Sequence, residues 1–158
     1  MTALDTYLND HLAGASFGSD LARQLVGRVQ GAPMDRIAQE IEEDRQTLTE
    51  LMDRLGTTKN PVKQAITWLA EKASRVKLTG IGPGTSEELA TFLALETLCL
   101  GVEGKKELWI ALKEIQAEHP PLGTFGLDAL IQRATAQREA LETDRLAAAR
   151  RALAGGPS

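Results

Sequence analysis

Four positions break helical stripes that are otherwise apolar, and they are the residues with the means to do chemistry. His11 lies between Leu8 and Ala15 in the first such stripe. Asp44 lies between Ile41 and Leu48 in the second, with Glu40 one turn earlier. Glu96 interrupts the run FLALETLCLGV, and Glu103 follows two turns later on the same helical face. A carboxylate inside a helical core costs several kcal/mol unless a metal, a cation or a hydrogen-bond network meets it. Two chemistries answer that need. In one, His11, Glu40, Asp44, Glu96 and Glu103 converge on a metal ion; carboxylates with one imidazole suit iron, manganese or zinc. In the other the partners are arginines. Arg138 and Arg145 stand seven residues apart, the same repeat as Glu96 and Glu103, so two rungs of Glu–Arg pairs could form a buried ion-pair network.

The elements that must position these side chains are helical. Leu and Ala supply 45 of the 158 residues, against 12 Val and Ile, a balance that favours helix over strand. The first segment, 3–29, carries Leu4, Leu8, His11, Ala15, Gly18, Ala22, Leu25 and Val29 at steps of four and three. The second runs from Pro33 to Leu55 with Met34, Ile37, Ile41, Asp44, Leu48, Leu51 and Leu55 on one face, and Gly56 as a left-handed stop. A shorter third helix is expected over 61–78, ended by GIGPG at 80–84. The fourth begins near Thr85-Ser86-Glu87-Glu88, where Thr85 and Glu88 have capping-box spacing, and stops at His119-Pro120-Pro121. The fifth spans Leu127 to Leu153. Four of the five exceed 20 residues, and short loops join the first to the second and the fourth to the fifth.

The architecture that follows is all-α: four long antiparallel helices in two hairpins, with a shorter helix in the crossover. One domain is expected over 1–154, with 155–158 as a loose tail. The acidic second segment and the basic third would then lie against one another. GIGPGTS has no P-loop lysine and follows no strand, so it reads as a connecting turn.

The hairpin connectivity, the acidic stretch EIEEDRQTLTELMDRLG (40–56) and the Glu-bearing fourth segment resemble the ferritin-like and rubrerythrin-type bundles. That resemblance covers roughly residues 3–153. It implies a bundle interior where the family's di-iron members place a Glu on each of two helices and Glu-x-x-His on the other two. No Glu-x-x-His occurs in this chain, whose two histidines are His11 and His119. The resemblance therefore implies a divergent member without the usual redox centre.

Composition narrows the function classes. A net charge of −4 gives no global attraction to nucleic acid or anionic lipid, and the most apolar stretch, 89–102, contains Glu96 and is too short to span a bilayer. The opening MTALDTYLNDH has neither a basic region nor an apolar core of a secretory signal, and the single cysteine, Cys99, cannot form an internal disulfide; a cytoplasmic setting is expected. Cys99 has no recognisable base and reads as a small core residue, and Trp68 and Trp109 read as core or interface anchors. Gly14, Ala15, Gly18 and Ala22, with Gly101 and Gly104, predict close helix–helix approach, within the chain or between copies in a homo-oligomer. The leading expectation is a non-catalytic bundle protein acting through binding or assembly. The alternative is a metal-binding or metal-oxidising protein using the carboxylates of its interior.

Overall fold

A computed structural model describes residues 1–29, 32–60 and 86–155. Among these, four α-helices and one 3-10 turn account for the regular structure, and there is no strand: α1 (Ala3–Val26), α2 (Ala32–Arg54), α3 (Glu87–Glu114), the turn Pro120–Thr124 and α4 (Leu127–Leu153). The expected crossover helix over 61–78, the GIGPG turn and Trp68 lie outside the described residues.

Local chemistry explains the ends. Thr2 and Asp5 form a reciprocal capping box at α1, the Thr2 hydroxyl accepting from the Asp5 N–H at 3.0 Å and Asp5 accepting from the Thr2 N–H at 2.7 Å. α1 ends at Val26 with Gly27 as its cap, three residues before the end expected from periodicity. α2 closes on Gly56, whose φ of 67° is left-handed; the Thr57 N–H reaches back to Met52 O and the Gly56 N–H to Asp53 O. That is the double bond pattern of a glycine C-terminus. The start of α3 corrects one expectation. Ser86, rather than Thr85, is its cap, with the Ser86 hydroxyl accepting from the Leu89 N–H at 3.2 Å. α3 also stops earlier than expected, at Glu114, and Ile115 to Glu118 form a turn before the prolines.

Two apolar clusters form the core. One joins Leu21 and Leu25 of α1 to Met34 and Ile37 of α2, Leu95, Leu98 and Val102 of α3 and Leu141 of α4. The other joins Leu8, Leu48, Leu51 and Met52 to Leu108, Trp109 and Leu112, and is closed by Leu122 of the 3-10 turn and Leu127. The stripe expected on α2 is buried as read, from Met34 through Leu51 with Asp44 included. α3 is the most deeply buried of the described helices and contributes to both clusters. No described helix is long and apolar enough to cross a membrane.

Candidate functional site

On α2 and α3 the two clusters are separated by a polar level, and the separation is visible in the chain. α2 passes from Ile41 through Asp44 to Leu48, and α3 from Val102 through Lys105 to Leu108. Asp44 is 3% exposed, and its Oδ2 accepts a hydrogen bond from Lys105 Nζ at 2.5 Å. The same ammonium donates to Gln137 Oε1 of α4, also at 2.5 Å. Gln137, itself buried, turns its amide to Glu40 Oε2 at 3.0 Å and to Asp44 Oδ2 at 3.4 Å. Arg133 completes the group. Its Nε stands 3.3 Å from Asp44 Oδ1, while its Nη2 donates to the Glu40 carbonyl at 2.6 Å and to Glu43 Oε2 at 2.9 Å. Neither Asp44 Oδ1 nor Arg133 Nε makes a well-aligned hydrogen bond, so this contact is an ion pair without hydrogen-bond geometry. Burial pulls the Lys105 ammonium below the usual lysine range, with the Asp44 carboxylate opposing that shift. The group thus ties α2 to both α3 and α4 through charge-assisted bonds in a poorly hydrated place.

Beside this level lies a cavity of about 230 Å³ bounded by α1, α2 and α3. Its wall is mostly apolar, with Leu48, Leu98 and Leu108 among the lining residues and Asp44 and Lys105 at its polar side. Gly18, Gly101 and Gly104 also line it, and a Cβ built on any of the three would meet nothing within 4 Å. Within the chain these three glycines front open space and make no close helix approach. His11 lines the same cavity and packs edge-on against the Tyr7 ring, with centroids 4.6 Å apart. Desolvation lowers the His11 pKa below its ordinary 6.5, with Asp10 opposing. Trp109, on the cavity wall and 1% exposed, keeps its indole N–H buried without an acceptor.

The other residues singled out from the sequence are placed elsewhere. Glu96 is at the edge, its side chain 40% exposed, and reaches Arg145 Nη1 at 3.4 Å. Glu103 is exposed and makes no ion pair among the described residues, so the second expected Glu–Arg rung is absent. The reason is local. Glu142 lies four residues after Arg138 and three before Arg145, and it takes both guanidiniums, at 2.7 Å each. These two arginines hold the Glu142 carboxyl down to about 2. Among the described residues no three His, Cys, Asp or Glu side chains are grouped so as to hold a metal ion. Of the five proposed ligands, Glu40 and Asp44 meet around Gln137, His11 faces the neighbouring cavity, and Glu96 and Glu103 stand apart. Cys99 is buried, and burial pushes its thiol up to about 11, which suits a packing residue.

Sequence reasoning missed Lys105, Gln137 and Arg133. The first two carried a signal. Leu98, Val102, Lys105, Trp109 and Leu112 form one stripe, and Ala134, Gln137 and Leu141 another, so each polar residue interrupts its face as Asp44 does. Arg133 sits beside its stripe and had no such mark. No family model, no curated protein and no solved structure matches this chain.

Proposed function

We propose that this chain is a divergent ferritin-like bundle of two antiparallel helix hairpins, non-catalytic, whose partly open cavity between α1, α2 and α3 binds a small apolar molecule. The order of contacts supports the hairpins. Asn9, early in α1, donates to Thr58 O beyond the end of α2, whereas Ser19, later in α1, donates to Glu42. Lys113 and Asp128 pair beside the turn joining α3 and α4, whereas Glu96 and Arg145 meet far from it. The longest link, between Arg54 and Glu87, then falls where a crossover belongs.

One observation carries the binding reading. The buried Asp44 carboxylate is met by Lys105, Gln137 and Arg133, so its charge holds helices together, and the empty volume beside it is lined mainly by apolar side chains. A ~150 Å³ apolar cavity is already large enough to take benzene. Titration calorimetry with isopropylbenzene tests this on the full chain, alongside elemental analysis of protein purified without chelators or a histidine tag. Saturable binding of one molecule per chain, blocked by Gly101→Leu, is the expected result. Stoichiometric iron, manganese or zinc, lost on His11→Ala, would overturn it in favour of a metal site.

A further inference from the structure

We propose that this cavity selects an apolar molecule ending in a hydrogen-bond-accepting oxygen, an assignment that rests on the binding reading above and adds the chemistry of the ligand. The hydrogen-bonding capacity left on the wall is mostly donor. Lys105 has three ammonium hydrogens and no acceptor, and Asp44 and Gln137 engage two of them. The Trp109 indole N–H is also without a partner, but its nitrogen has no exposed surface and so presents no donor to the cavity. Arg45, on the same wall, directs Nε and Nη2 at Glu42, which leaves the Nη1 hydrogens without a bond among the described residues. His11 is uncommitted at both nitrogens among the described residues, and in its neutral form it brings one donor and one acceptor.

The acceptors are largely engaged. Among the described residues Asp44 is the one carboxylate on the lining; Lys105 and Gln137 hold one oxygen, and the other makes no hydrogen bond but is fully buried against Arg133. The Thr97 hydroxyl gives its hydrogen to Leu93 O at 2.8 Å, and its oxygen is a weak remaining acceptor. A carbonyl or carboxylate oxygen entering this space finds donors to meet it. A donor group entering finds little and leaves Lys105 unanswered, the situation in which a polar site rejects a ligand strongly. The glycines supply the room. Gly18, Gly101 and Gly104 place no side chain where the apolar body would lie.

The test compares three ligands of matched size by titration calorimetry on the full chain: acetophenone, which offers an acceptor; isopropylbenzene, its isostere with neither group; and indole, a neutral donor. Acetophenone is expected to bind about tenfold tighter than either of the others. Lys105→Met should weaken acetophenone binding by a larger factor than isopropylbenzene binding and so shrink that preference, whereas a mere loss of packing would weaken both alike. Indole or isopropylbenzene binding as tightly as acetophenone would overturn the acceptor assignment and leave cavity binding standing. If none of the three binds, the binding reading falls as well.

Discussion

Asp44 and Glu142 are both carboxylates set between two cations, and they show how position decides what the same chemistry achieves. Asp44 is 3% exposed and its partners come from other helices: Lys105 from α3, Arg133 and Gln137 from α4. Glu142 has a side chain 34% exposed, and both its arginines, Arg138 and Arg145, come from its own helix. The first arrangement couples α2 to α3 and α4 and cannot be relaxed into water. The second stiffens one helix face and is screened by solvent. Short sequence separation makes an ion pair easy to form and gives it little to hold together; long separation does the reverse.

Substitution should expose that difference. Asp44→Asn leaves Lys105 and Arg133 short of a buried countercharge, and is expected to cost about 3–5 kcal/mol in urea denaturation. Glu142→Gln should shift the urea midpoint far less, and the shift should vanish at high salt, where the Asp44 effect persists. An equal effect of the two changes would remove the distinction.

The glycines beside the buried group give the next largest effect, with opposite sign. Gly18→Ala and Gly101→Ala add a methyl at helix positions with free space, so each should stabilise by about 1 kcal/mol. Each should also weaken isopropylbenzene binding by narrowing the cavity. A destabilising result would mean that the space is already filled in solution.

The smallest effects are in pH dependence, and the two regions titrate in separate windows. His11 beside the cavity has its pKa lowered from 6.5 by burial, so its contribution is complete above pH 6.5 and is lost as pH falls through the lower folded value. Glu142 is held at about 2, against an ordinary 4.5, by hydrogen bonds from Arg145 and Arg138. Its contribution is therefore present above about 4.5 and lost only as pH falls towards about 2. His11→Asn should flatten the stability profile just below neutrality and leave the acid limb alone. Glu142→Gln should change only the acid limb.

Much of this was legible in the chain because helical periodicity reports burial directly. The α2 stripe from Met34 to Leu51, the stop at Gly56 and the bounds of α4 all follow from spacing and cap chemistry. Asp44 stood out because a carboxylate in an apolar stripe demands a partner. Which partner was not legible, since seven-residue spacing matched Glu96 and Glu103 to Arg138 and Arg145 equally well across helices. Glu142 lay between those arginines in sequence and decided the matter locally. Small residues on a helix were ambiguous for a similar reason. A missing side chain permits either a close neighbour or open space, and only the placement of α1, α2 and α3 shows that within the chain Gly18, Gly101 and Gly104 border open space.

The account turns on Asp44 and Lys105 acting as one unit between α2 and α3, and a double-mutant cycle measures that directly. Urea denaturation of Asp44→Asn, Lys105→Met and the double variant, with chelator present throughout, gives the coupling energy. The double variant should recover a large part of the loss caused by Asp44→Asn, because both members of a buried pair can be removed at small net cost. A coupling above about 1.5 kcal/mol is predicted, well beyond the ~0.5 kcal/mol scatter of independent sites. Additive losses within that scatter would contradict the pairing and return Asp44 to the search for another partner.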